Sequence, residues 1–274
     1  MSVAKNAELG WSGTMKEMQL DLSDKTIVVS GALGAIAEYV VRTLLDAGAF
    51  VVLTDLVEEN EAREVMEARG YARDNCAYFR MDVTDAAAVS NVIDAVFQKY
   101  QKVNVALGHA GGTGIEMFRD SSTDSFDRLV QFNFLGQTYF ARAVLKQWLK
   151  HKTPGQMVFT SSYVSRIPFA GIAAYNASKA ALDMFAKTLA LEYASDGIRF
   201  NVVSPGNVAA GASLVVYESD PEYRAAVDRM SPLGKRNSPQ AIANAFLYLC
   251  SSLADEIDGH ILNVDAGVGL PKIG

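Results

Sequence analysis

Short runs of aliphatic residues alternate along this chain with longer stretches whose apolar positions recur every three or four residues. Residues 25–30 hold the first run, around Ile27-Val28-Val29, and a Gly/Ala turn leads into a periodic segment over 36–47. The pair repeats at 50–55, around Val51-Val52-Leu53, and at 58–69. Further strands are expected at 79–82, 103–107, 156–161, 199–203 and 261–264, about seven in all. Unbroken apolar runs mark strands buried on both faces, and strand–helix alternation requires a parallel sheet with helices on both sides. The expected fold is α/β, a single doubly wound domain over residues 23–274. Residues 1–22 precede the first strand and read as an N-terminal arm.

Composition narrows the class. Half of the 274 residues are hydrophobic, enough for one full core. A net charge of −6 offers no basic surface for nucleic acid. No apolar run approaches the ~20 residues of a membrane span, and residues 1–24 lack the basic start and apolar stretch of a secretory signal. Cys76 and Cys250 are too few for a disulfide framework, and three scattered histidines make no zinc motif, so no metal is expected. The resulting expectation is a cytoplasmic protein acting on a small molecule, with no nucleic-acid or membrane partner.

The candidate chemistry sits in Tyr175-Asn176-Ala177-Ser178-Lys179. The spacing predicts a helix through Leu191, on which positions i and i+4 lie one above the other. A cation about 4 Å from a phenol, at an effective dielectric of about 20, favours the phenolate by up to about 4 kcal/mol. That brings tyrosine, with an ordinary pKa of about 10, into the working range of an acid–base catalyst. A core tyrosine beside an exposed lysine would give the same letters. However, Ser161-Ser162 closes the apolar run Met157-Val158-Phe159, and the carboxyl end of a strand is where open α/β sheets place their chemistry.

Ser162, Tyr175 and Lys179, with Ser30-Gly31-Ala32-Leu33-Gly34-Ala35-Ile36-Ala37, Asp82-Val83, Asn133, Asn201, Pro205-Gly206 and Val264-Asp265-Ala266-Gly267, resemble the classical short-chain dehydrogenase/reductase family from about residue 22 to 267. The resemblance implies a Rossmann-like fold and a catalytic set of Ser162, Tyr175, Lys179 and Asn133. Tyr175 would exchange a proton with the substrate, Lys179 would lower its pKa and hold the nicotinamide ribose, and Ser162 would polarise the substrate oxygen. The backbone carbonyl of Asn133 would hold a water. Expected cofactor contacts are Gly31, Gly34, Ala35, Ile36, Asp55, Asp82, Val83, Ala110, Gly111, Tyr175, Lys179, Pro205, Gly206 and Val208. The family's second and third loop glycines are replaced here by Ala35 and Ala37, with Gly34 one residue early, and Ala210 stands where a threonine is frequent. Asp55, about 20 residues past the loop, would accept hydrogen bonds from the adenosine ribose and repel a 2′-phosphate, which points to NAD. Asp82 is expected at the adenine or as a cap on the next helix. His109, in Gly108-His109-Ala110-Gly111, is expected near the adenosine side as a substitute for asparagine.

The implied activity is NAD-dependent interconversion of a secondary alcohol and a ketone on a polar small molecule: a sugar, polyol or hydroxy acid. Arg166, Tyr217, Tyr223, Arg224 and Arg229 are the groups that could meet it, though a solvated surface explains them too. A 3-oxoacyl-thioester reductase is the alternative within the family. An idle NAD-binding sensor is the alternative outside it, motivated by Ala35, His109 and Ala210. Apolar helices over 132–149 and 174–194 resemble the family's subunit-contacting pair and imply a homotetramer or homodimer; core packing would give the same spacing.

Overall fold

The computed structural model describes residues 20–71 and 74–270. Seven strands form one sheet in the order β3-β2-β1-β4-β5-β6-β7, and every neighbouring pair is parallel. They are β1 (Thr26–Ser30), β2 (Phe50–Asp55), β3 (Cys76–Arg80), β4 (Val105–Gly108), β5 (Gly155–Thr160), β6 (Ile198–Pro205) and β7 (Ile261–Val264). The helices are α1 (Ala35–Asp46), α2 (Glu59–Ala68), α3 (Ala86–Tyr100), α4 (Thr123–Val130), α5 (Gly136–His151) and α6 (Ala173–Tyr193). After β6 come α7 (Gly211–Ser219), α8 (Pro221–Met230) and α9 (Pro239–Cys250). This is the doubly wound α/β fold expected from the pattern.

Alternate residues of each strand feed opposite faces of the sheet. Val28 joins Val52, Ala106, Phe140, Trp148 and Leu182 in one core. Its neighbours Ile27 and Val29 join Leu44, Val51, Leu107, Val158 and Phe246 in the other. Trp148 is fully buried and donates its indole N–H to the Val103 carbonyl at 2.7 Å, which satisfies its one polar atom. Helix starts are marked by local chemistry: Asp85, Ser122, Asp220 and Ser238 each cap a helix by accepting from its first amides. Pro221 and Pro239 follow two of these caps, where a missing N–H costs nothing.

Three local expectations change. The third strand runs Cys76–Arg80, not 79–82: it is an edge strand paired from Val51↔Cys76 to Asp55↔Arg80, half-buried, and so lacks an apolar run. The helix-like stretch 125–150 is α4 and α5 joined by a π-helical turn, Gln131–Leu135. Helix α3 is capped by Asp85, while Asp82 closes the preceding turn through Thr84 N and Oγ1 at 2.8 and 2.7 Å. Of the expected arm, residues 1–19 lie outside the described residues. Leu22 is fully buried, and its amide donates to the Ala47 carbonyl at 2.8 Å.

The chain fills the sheet outward from β1 to β3, then returns to place β4 on the other side of β1. This reversal opens a crevice at the carboxyl ends of β1 and β4, the position at which such sheets bind ligands.

Candidate active site

On one side of the crevice the walls are main chain. Gly31 takes a left-handed φ of +67°, and a Cβ there would lie 2.6 Å from the Ala110 Cα. Only glycine allows the exits of β1 and β4 to come this close. Ser30 stitches the same exits together: its hydroxyl donates to the Leu107 carbonyl at 3.3 Å and accepts the amides of His109 and Ala110 at 3.0 and 3.3 Å. Gly34 precedes α1 in an extended conformation, without a side-chain cap, leaving the first amides of α1, from Ala35 and Ile36 on, for an anion or water. The Ala35 methyl is exposed and faces Gly211, 3.6 Å from where a Cβ on that residue would sit. Asp55 accepts from Leu33 N at 3.0 Å and Leu56 N at 2.8 Å, which fixes its carboxylate at the end of β2 against the loop. Arg69 is bound to Glu38 at 3.2 Å and to the Leu33 carbonyl at 2.9 Å. Val83 is buried beside Gly136. A glycine turn, an uncapped helix start and an acid at the next strand end are the donors and acceptors that a dinucleotide requires, so the residues fit one.

Across the crevice, side chains dominate. Thr160, the last residue of β5, accepts from Lys179 Nζ at 2.8 Å through its carbonyl. Its hydroxyl hydrogen-bonds His109 Nδ1 at 2.8 Å. Ser162 follows, buried, at the mouth of the strand. Tyr175 and Lys179 stand on the first turns of α6 with the ammonium 5.7 Å from the phenol ring centre. Asn133 lies fully buried in the π turn, a feature frequent at functional positions. Its side chain clamps Gly112 from both sides, accepting from the amide at 2.8 Å and donating to the carbonyl at 2.9 Å. A Cβ on Gly111 would come 3.0 Å from Asn133 Oδ1 and 3.3 Å from Lys179 Nζ, so that glycine keeps room between them. The structure thus brings Ser162, Tyr175, Lys179 and Asn133 together.

The electrostatics depart from expectation. Burial raises the Tyr175 pKa, and the opposing influence is a hydrogen bond from Ser162, not the Lys179 charge. The reason is geometric: Nζ is turned to the Thr160 carbonyl. Burial likewise lowers Lys179 to about 8, against Asp183, which raises it. His109 is lowered to about 4 by burial and then by Lys179. Its ring bonds Thr160 and packs edge-on against Phe246, 5.7 Å between centres. A neutral ring bonded to Thr160 has a structural role at the end of β4.

The mouth is apolar. Tyr163, Val164 and Val268 form a small cluster with Ile172, Tyr175 and Met230 packed on it. Ile115, Met117 and Phe118 stand exposed nearby, Phe118 by 69%, where Glu116 pairs with Ile172 and Gly171 underlies Ile115. Two of the cations expected for a polar ligand have protein partners while remaining exposed. Arg166 pairs with Asp265 at 3.5 Å, and Arg224 donates to the Tyr217 and Glu218 carbonyls at 3.0 and 2.7 Å. Tyr217 donates to Asp228 and Tyr223 accepts from Asn207.

Beyond Pro205 and Gly206, the buried Val208 has its carbonyl taken by Arg236 at 2.6 Å. A Cβ on Gly206 would meet Asp265 Cα at 2.7 Å. Arg236 also bonds Asn207 and Ser213 and lies 4.3 Å over the Tyr217 ring, tying α7 to the end of β6. Ala210 precedes α7 without a side-chain cap. Arg236 and Thr160 were missed from sequence. Thr160 had one signal, its position immediately before Ser161-Ser162; Arg236 had none.

A sheet with a glycine turn and an acid on one flank of its switch point, and Ser, Tyr and Lys gathered on the other, is the arrangement of a nicotinamide-dependent oxidoreductase. A family model described as enoyl-(acyl carrier protein) reductase matches residues 31–269. The 3beta-hydroxysteroid dehydrogenase 1 of Eggerthella lenta is 32% identical over 250 residues, 91% of this chain and 95% of that protein. The 3-oxoacyl-[acyl-carrier-protein] reductase of Salmonella typhimurium is 29% identical over 249 residues, covering 91% and 99%. The crystal structure of gox2181 aligns with a TM-score of 0.85 at 29% identity, over 92% of this chain and 98% of that one. The chain belongs to the classical short-chain dehydrogenase/reductase family, oxidoreductases that act on hydroxyl and keto groups. Among the described residues, no helix is long and apolar enough to cross a membrane.

Proposed function

We propose that this protein is an NAD-preferring cytoplasmic oxidoreductase that interconverts a secondary alcohol and a ketone on a substrate with an apolar, alicyclic body. The observation that carries the reading is the position of Tyr175. Its half-buried phenol lies beside Ser162 and the Lys179 ammonium and packs on the Tyr163, Val164 and Val268 cluster.

A nicotinamide dinucleotide held by the Gly31 turn, the start of α1 and Lys179 would supply or take up the hydride. Tyr175, held as a neutral phenol, gives its proton to the carbonyl oxygen as a ketone is reduced and takes it back in the other direction. Ser162 donates to the same oxygen as negative charge develops on it. Lys179 would hold the nicotinamide ribose, and remains an ammonium at neutral pH. Asn133 and Thr160 fix where Lys179 reaches. Asp55 favours NAD by meeting the ribose hydroxyls with a carboxylate that a 2′-phosphate would oppose.

Arg166 and Arg224, two of the cations that could meet a polar substrate, stay exposed and are paired with Asp265 and the Tyr217 carbonyl, so the preference for an apolar substrate rests on the apolar cluster beside Tyr175. A 32% identical relative named for a hydroxysteroid agrees with an apolar substrate. The 29% identical relative named for a 3-oxoacyl thioester keeps that substrate as the second reading. The test follows absorbance at the NADH band with 3β-hydroxysteroids, polyols and a 3-oxoacyl thioester, beside calorimetry with NADH and NADPH. Turnover on the hydroxysteroid with NAD is expected. Turnover confined to polyols would overturn the substrate class, and tighter NADPH binding would overturn the role of Asp55.

Assembly as a homotetramer or homodimer through α6 belongs to the same proposal. Most apolar residues of α5 are in the core, whereas α6 leaves Met184 and Leu191 exposed, Leu191 by 85%. A monomer in light scattering would remove it.

A further inference from the structure

Helix α6 carries a third ionisable residue on the stripe occupied by Tyr175 and Lys179. Asp183 follows Lys179 by four residues, as Lys179 follows Tyr175, so the three rise one turn apart on one face. Asp183 is only 7% exposed, and its Oδ1 has no hydrogen-bond partner. A carboxylate so placed is strongly disfavoured unless a positive charge lies near it. Side chains lean toward the N-terminus of their helix, which carries this carboxylate back over the stem of Lys179. Lys179 is equally enclosed, at 3% exposure, and its ammonium is turned to the uncharged Thr160 carbonyl. Each of the two groups therefore lacks a contact partner of opposite charge and has the other one turn away.

We propose that Asp183 is the buried counter-charge that keeps Lys179 an ammonium, and is thereby a positioning residue for the chemistry at Tyr175. The charge relation stands on the geometry of α6 alone; its consequence for Tyr175 rests on the function proposed above. Burial holds Lys179 down at about 8, and Asp183 is the group that pushes it back up. The other groups facing Lys179 do not take that role. Tyr175 on the same helix is a neutral phenol, and His109 from the end of β4 is uncharged at neutral pH. The strand end and the π turn contribute only Thr160 and Asn133. Without Asp183, a large share of Lys179 would be a neutral amine at the pH of a cell.

The experiment is an NMR titration of protein carrying 13C-labelled lysine, without cofactor, with the Lys179 resonance assigned by its loss in Lys179→Met. A midpoint near 8 is expected for the unaltered chain. In Asp183→Asn it falls below about 7, a tenfold or greater rise in the ratio of amine to ammonium, and Asp183→Glu restores most of it. An unchanged midpoint in a folded Asp183→Asn protein overturns the proposal.

Should that variant not fold, Lys179→Met supplies the same answer in reverse. Losing the cation leaves a buried carboxylate without a counter-charge. Lys179→Met should then be less stable to chemical denaturation than the double variant Lys179→Met/Asp183→Asn; equal or greater stability overturns the proposal. NADH titration of the Asp183→Asn protein separates the two layers. A shifted Lys179 midpoint with undiminished NADH affinity leaves the charge relation standing and removes its positioning role.

Discussion

On the β1–β3 side of the crevice, the Gly31 turn, the start of α1 and the Ser30 stitch offer a ligand mostly amides and space. On the β4–β6 side, Ser162, Tyr175, Lys179 and Asn133 offer side-chain atoms. The two sides tolerate substitution differently for that reason. An amide is supplied by any residue, so Ala35 and Ala37 can stand where relatives have glycine without removing a donor. A phenol or an ammonium has no substitute of equal chemistry. The alanines at 35 and 37 are tolerated on the first side because its requirement is for backbone shape, and shape is met by more than one letter.

That contrast can be broken in four ways, the strongest first. Tyr175→Phe removes one oxygen and no volume; turnover should fall by roughly 10²–10⁴-fold, with NADH affinity, read by fluorescence, unchanged. Equal losses in both would mean that the sides are not separable. Gly31→Ala asks the reverse question. The new methyl would meet the Ala110 Cα at 2.6 Å in a left-handed backbone, so a loss of about 2–4 kcal/mol is expected in chemical denaturation. A loss under about 0.5 kcal/mol would show that the β1 and β4 exits can part freely.

Proton dependence gives a smaller effect. Lys179 has its folded pKa lowered to about 8, so its ammonium is present below that pH and lost above it. NADH affinity should hold steady from pH 6 to 7 and drop several-fold by about pH 9, and Lys179→Met should flatten the curve. A decline at acid pH instead would assign the titration to another group. Ala35→Gly should change least. It restores the family's glycine at the first residue of α1 at a cost of about 1 kcal/mol or less, with NADH affinity altered by less than about threefold. A larger gain would show that the methyl does crowd the phosphates.

The same contrast explains what could be read from the letters. The strands β1, β2 and β5 were legible because a buried parallel strand needs consecutive apolar residues, and Ile27-Val28-Val29, Val51-Val52-Leu53 and Met157-Val158-Phe159 supply them. Strand β3 was misplaced because its half-buried edge position asks for no such run. Ser162, Tyr175 and Lys179 were legible as a set of spaced side chains. The electrostatic claim attached to them was not, because the direction of the Lys179 side chain follows from a carbonyl on another strand. The π turn around Asn133 leaves no pattern, since one widened turn inside a long amphipathic stretch keeps nearly the same periodicity. Arg166 and Arg224 were named among the groups that could meet a polar substrate, while their partners, Asp265 and the carbonyls of Tyr217 and Glu218, were invisible in the chain.

Thr160 meets Lys179 through its carbonyl and His109 through its hydroxyl, and the two attachments have different fates under mutation. Changing Thr160 to valine would discard the second and leave the first intact. No codon change at position 160 can delete a peptide oxygen. The lysine's anchor is thus inherited with the path of the strand rather than with any amino acid, and drift at that site can rewrite the residue without ever releasing the ammonium.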